Sequence, residues 1–153
     1  MNIKYFGSLA LLLSLSTSVF AVSTDPLIGK WKTIDDRTGY SLADVVISKD
    51  DKSQQYVATI ISVRNVPGAP KVEICTQCTG KEKNKSLVGL EMLTGLVAAP
   101  GKQNEFISGQ LLDPNNGQHY SARARLMSNG KHLIIHSKSG QSTLGRNMTW
   151  VKN

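Results

Sequence analysis

From residue 29 onward, apolar and polar positions alternate in short runs separated by turn residues. Period-two alternation marks strands with one buried face, and helical spacing is hard to find anywhere in this part of the chain. The runs predict eight strands, at 29–35, 40–49, 55–64, 87–96, 104–112, 118–127, 131–138 and 142–151, mostly joined by short connections. Asp113-Pro114 followed by Gly117 reads as a turn: proline presets φ at its second position, and glycine tolerates positive φ at its end. Asn129-Gly130 is a stronger signal, for a two-residue hairpin loop. That loop sets Leu126 opposite Leu133, Ala124 opposite Ile135 and Ala122 opposite Ser137. With Tyr120, these residues form a mostly apolar face rich in small side chains, and this is the face expected to point inward. His119, Ser121, Arg123 and Arg125 occupy the other.

Eight consecutive antiparallel strands leave two unpaired edges unless the sheet closes, so the expected fold is an all-β, eight-stranded up-and-down barrel. A barrel of this strand number has an interior that side chains just fill, or that holds one small ligand. Ala122, Ala124, Ser137 and Gly109 on inward positions are compatible with a cavity. They are equally compatible with small residues that let large neighbours pack across.

One connection is long. Residues 65–85 contain both cysteines of the chain, Cys75 and Cys78, and the basic run 81–85. A long ordered loop on a barrel is expected to cover one mouth. The pair itself has three readings. A thioredoxin-like centre wants a helix directly after the cysteines, and "TGKEKNK" does not supply one, although Lys81, Lys83 and Lys85 would favour a thiolate. A zinc site wants about four ligands, of which the pair gives half. A disulfide is the default for neighbouring cysteines in an oxidising compartment, and a ring this small stabilises by only about 2 kcal/mol. The disulfide is the favoured reading.

The compartment follows from the N-terminus. Lys4, an apolar run and the short residues Val19 and Ala21 predict a secretory signal peptide over residues 1–21. Residues 22–153 then form a single periplasmic or secreted domain. The apolar run is too short for a membrane span. The formal net charge is +7, compatible with an anionic envelope surface as partner. The charges are dispersed and aromatics amount to 6%, without the basic stripe and stacking aromatics of a nucleic-acid binder. No hydrolase, zinc-protease or phosphate-loop pattern occurs, so no catalytic residue, metal or cofactor is expected. Asp35 and Asp36 read as solvated turn carboxylates, and His132 and His136, about 13 Å apart along one strand, as surface residues.

Gly29-Lys30-Trp31 resembles the Gly-x-Trp signature that opens the first strand of lipocalins and related calycin barrels. In that superfamily a basic side chain of the last strand packs across the tryptophan, which implies that Arg146 stacks on Trp31. A wider set, in order, resembles the small exported bacterial proteins grouped as "domain of unknown function 2147". The set is Gly29 and Trp31; Cys75, Cys78 and Gly80; Gly109; Asp113, Pro114, Gly117 and Tyr120; and Leu144, Gly145, Arg146 and Trp150. The resemblance implies a signal-bearing, lipocalin-like barrel and no established activity. The function expected is non-enzymatic binding of a small apolar or amphipathic molecule, with Met92, Tyr120, Ile135 and Leu144 as inward pocket residues. Two alternatives are an envelope module with a filled barrel and a basic surface, and a thiol oxidoreductase using Cys75 and Cys78.

Overall fold

The computed structural model describes residues 24–140 and 145–153; the signal peptide expected over residues 1–21 and Leu144 lie outside them. The strands are β1 (Gly29–Ile34), β2 (Ser41–Lys49), β3 (Tyr56–Val63), β4 (Glu91–Ala98), β5 (Glu105–Asp113), β6 (Gln118–Leu126), β7 (His132–Lys138) and β8 (Gly145–Lys152). Each pairs antiparallel with the next, and β8 returns to β1 to close the barrel. Closure pairs the backbone of both would-be edges, which an open sheet of this length would leave to aggregate. Among the described residues no helix is long and apolar enough to cross a membrane.

The Asn129-Gly130 loop sets the expected register. Leu126 pairs with Leu133, Ala124 with Ile135 and Ala122 with Ser137, and all six side chains are buried. The fourth strand starts later than its hydrophobic pattern predicts, at Glu91. A bulge explains part of this: Thr59 pairs with Glu91 while Ala58 pairs with Leu93, so Met92 is the extra residue and Leu93 points inward. Further along, Gly95 (φ +70) and Ser108 (φ +63) take left-handed conformations on the neighbouring strands β4 and β5. They break strict alternation there, so that both Leu93 and Leu96 face the core.

Large buried side chains line the interior. Trp31, Trp150, Val45, Ile47, Leu93, Leu96, Leu133 and Ile135 are all at most 1% exposed. Of the two uses for small inward residues, the packing one applies at Gly109. A Cβ there would come within 2.9 Å of Leu96 Cδ1 and 3.3 Å of Leu93 Cδ1, so the glycine makes room for two leucines from β4.

The barrel has two differently closed ends. At the first, where β1 begins, Leu27 is completely buried and its carbonyl accepts the Trp31 indole N–H at 2.9 Å. Beside it the Tyr56 hydroxyl donates to Asp25 at 2.6 Å, and Phe106 meets the Tyr56 ring edge-on at 5.4 Å. Burial raises the Asp25 carboxyl, but the Tyr56 hydroxyl, the Leu27 amide and Lys49 outweigh it and hold the group below its ordinary value.

The cation across Trp31 is Lys152, with Nζ 5.1 Å from the ring centre, and not Arg146. The pairing decides this: Trp31 lies directly opposite Lys152, whereas Ile34, the last residue of β1, already pairs with Thr149. Arg146 therefore sits past the end of β1, at the second mouth. There it donates to Asp35 at 2.9 Å and to Asp36 at 3.0 Å. Asp35 is 6% exposed, so it is not the solvated turn carboxylate its position suggests. Burial pushes its carboxyl up; the Arg37 backbone N–H and the Arg146 and Arg37 charges prevail and hold it below the usual range.

Candidate functional site

Two concave surfaces lie on the outside of the barrel. The larger is a groove of about 730 Å³ between the long β3–β4 connection and the outer wall of β4, β5 and β6. A shallower cleft of about 410 Å³ lies at the first end, beside Asp25, Tyr56 and Phe106.

The groove exists because the long connection is folded. Its two arms pair through an Ile74–Ser86 bridge, with Cys75 N donating to Lys85 O at 2.8 Å and Leu87 N to Glu73 O at 2.8 Å. A single 3-10 turn, Gly80–Glu82, rounds the tip. The side chains then alternate as in any strand pair: Cys75 and Leu87 are buried, while Ile74 and Val88 are exposed.

Cys75 and Cys78 are joined in a disulfide, and both are nearly inaccessible, at 0% and 2% exposure. Their burial places the pair in the core, as a staple fixing the hairpin's tip.

The staple rests on the β5–β6 turn, and the signature residues of that turn explain how. Asp113 Oδ1 accepts the Asn115 amide at 2.9 Å, and Asp113 O accepts the Gly117 amide at 2.8 Å. Pro114 O then lies 3.6 Å from Cys75 Sγ. Gly117 has φ +68, and a Cβ on it would fall 1.9 Å from Gln77 O and 2.8 Å from Cys78 N. Only a glycine lets the two backbones approach this closely. On the same turn Asn116 Nδ2 donates to the Tyr120 hydroxyl at 2.9 Å.

Lys81, Glu82, Lys85 and Ser86 form the hairpin side of the groove, with Val88 at its root. Met92, Thr94, Gln110, Leu112 and His119 form the barrel side. Leu112 is only 3% exposed although it points away from the barrel axis, next to the inward Leu111. The arrangement offers a narrow apolar floor of Met92 and Leu112 between polar and charged walls.

Of the expected pocket residues, two face the barrel interior. Ile135 is wholly interior, and Tyr120 is half-buried at the second mouth. Met92, expected inward, is turned by the bulge into the exterior groove. Leu144 lies outside the described residues. His132 Nδ1 sits 2.9 Å from Asn129 Nδ2. The His136 ring lies across Gly145, where a Cβ would meet it at 2.3 Å. Gly145 is thus a space-making glycine. Leu112 was within reach of sequence reasoning: adjacent leucines at 111 and 112 mean that both faces of β5 are covered, the outer one by the long connection.

A closed eight-stranded antiparallel barrel opened by a Gly-x-Trp strand, with a tryptophan on the last strand beside it, is a lipocalin-type barrel. A solved structure agrees: protein HP1028 from the human pathogen Helicobacter pylori, which belongs to the lipocalin family, matches with a TM-score of 0.65 at 22% identity, over 83% of this chain and 82% of that one. At that identity the likeness is one of fold. The chain itself belongs to the DUF2147 family of uncharacterized proteins conserved in bacteria, matched over residues 29–152. No curated protein matches it.

Proposed function

We propose that this protein is an exported, non-enzymatic binding protein for a small amphipathic molecule, and that the molecule lies in the exterior groove. The groove's size carries this reading. At about 730 Å³ it falls within the range of small-molecule sites, typically 300–1,000 Å³, and its floor of Met92 and Leu112 between charged walls suits a ligand with an apolar body and polar ends. Lipocalin-type barrels as a class lend themselves to carrying small molecules, which supports the same function by a different surface.

The test uses 1-anilinonaphthalene-8-sulfonate, an apolar body with an anionic end, as a fluorescent probe. Met92→Asp places a charge on the half-buried floor and is expected to weaken binding at least tenfold, leaving far-UV circular dichroism unchanged. Native mass spectrometry of protein purified from its own envelope is the companion measurement: a co-purifying small molecule is expected, and Met92→Asp should remove it. Undiminished probe binding by Met92→Asp would refute the groove.

A second reading has one specific observation behind it. The Trp150 indole N–H is buried and has no acceptor among the described residues, and such a group is costly unless something bonds it. A ligand with an acceptor oxygen inside the barrel would meet that need. Loss of probe binding on an interior change such as Ser137→Leu, with Met92→Asp unaffected, would select this reading over the groove.

A further inference from the structure

The hairpin that roofs the groove has a second face. Alternation through the Ile74–Ser86 bridge puts Val72, Ile74 and Val88 on the side opposite buried Cys75 and Leu87. They are 37%, 48% and 53% exposed. Eight large hydrophobic residues of the described chain are exposed to this degree, so three on one short hairpin form a concentration, not background scatter. A Thr, Ser or Lys would serve equally well at such positions if the face met only water.

Once ion pairs are set aside, two cations remain at the hairpin's tip and one exposed carboxylate, Glu91, at its foot. Lys71 pairs with Glu73, and Lys81 with Glu82 at 3.6 Å. Lys83 and Lys85 are exposed and take part in none of the ion pairs of the described residues; Lys85 lies opposite Cys75 and leaves the backbone on the groove side, so its long side chain reaches the ledge only at the rim. The hairpin is also stiff, stapled by Cys75–Cys78 and seated on Gly117, so presenting this face costs little ordering entropy on binding.

We propose that this face is a docking surface for an anionic lipid bilayer, with Val72, Ile74 and Val88 entering the interfacial region and Lys83 and Lys85 meeting the headgroups. Apolar contact flanked by unpaired lysines is the combination that holds peripheral proteins to acidic membranes, where neither term alone suffices. The assignment stands independently of what the groove holds. Because Val88 and Lys85 belong to both surfaces, docking would bring the groove's entrance to the membrane.

Co-sedimentation of the full disulfide-bonded protein with phosphatidylglycerol–phosphatidylcholine vesicles tests this, against pure phosphatidylcholine, at low and high salt. Binding is expected to the anionic vesicles only, and to fall as salt rises. Ile74→Asp should reduce it about tenfold, and the pair Lys83→Gln and Lys85→Gln by about 30-fold, roughly fivefold per lysine. Ile28→Asp and Met127→Asp, exposed residues at the opposite end of the barrel, should bind as the parent protein does, and so should Met92→Asp, which separates docking from groove binding. Far-UV circular dichroism and thiol titration confirm that each variant keeps the barrel and the disulfide. The proposal is overturned if the parent protein does not sediment with anionic vesicles at low salt, or if Ile74→Asp sediments equally well. It is also overturned if the ledge proves to be covered by a second copy, seen as a dimer that Ile74→Asp dissociates.

Discussion

Gly117→Ala separates two costs that usually travel together. Any alanine at φ +68 suffers the left-handed backbone penalty, about 1–2 kcal/mol. At Gly117 the new methyl would also lie 1.9 Å from Gln77 O, so the disulfide hairpin must retreat by on the order of 1.5 Å to reach ordinary contact distance. Forcing an extra methyl into a packed site typically adds another 1–3 kcal/mol. Gly130 supplies the control: its φ is +65, and a Cβ there meets nothing within 4 Å. Urea denaturation should therefore show Gly130→Ala losing about 1–2 kcal/mol and Gly117→Ala about 2–5 kcal/mol. A second readout locates the difference. Cys75 and Cys78 are now nearly inaccessible, so lifting the hairpin should speed reduction of the disulfide by dithiothreitol at least tenfold in Gly117→Ala and leave it unchanged in Gly130→Ala. Equal stability losses and equal reduction rates in the two variants would refute the seating of the staple on this turn.

Two further expectations concern the barrel's ends. Lys152→Ala removes both the cation over Trp31 and a bond to the Pro26 carbonyl; it should cost about 1–2 kcal/mol and shift tryptophan emission, whereas Arg146→Ala should leave the emission in place. A shift with Arg146→Ala alone would restore the stacking that the sequence suggests. Asp35 contributes a pH dependence: its folded carboxyl lies below its ordinary value, so on acidification the unfolded chain takes up the proton first. The stability it supplies is complete above about pH 4 and is lost as pH falls through the lowered folded value. Asp35→Asn should be less stable than the parent by roughly 1–3 kcal/mol near neutrality, with the two denaturation midpoints converging in acid; parallel curves would count against the Arg146–Asp35 pairing.

Both candidate surfaces depend on the same structural unit. The wall of the groove and the exposed ledge belong to one hairpin and meet at Val88, and its position rests on a buried disulfide and a glycine in a turn more than thirty residues away. A small ring of this kind adds little to global stability, about 2 kcal/mol. Its effect is local: it converts a long connection, which by itself would wander, into a rigid element with one buried and one exposed face.

What the sequence determined by itself was everything governed by neighbours along the chain. Period-two alternation sets which side chains share a face, Asn129-Gly130 fixes the β6–β7 register to the residue, and eight alternating runs leave a closed barrel as the way to pair every edge. Glycine positions were legible as special, though not their reasons: Gly109 yields to leucines from β4, Gly145 to a histidine ring, Gly117 to another backbone. Tertiary structure decided what depends on contacts between distant segments. Lys152 rather than Arg146 covers Trp31 because the β1–β8 register places it opposite, and no periodicity within either strand encodes that offset. Met92 faces outward because of a bulge, which shifts a side chain by one residue without leaving a mark in the hydrophobic pattern. The groove itself has no sequence signature, since its walls come from residues 81–94 and 110–119, brought together only when the hairpin folds down onto Gly117.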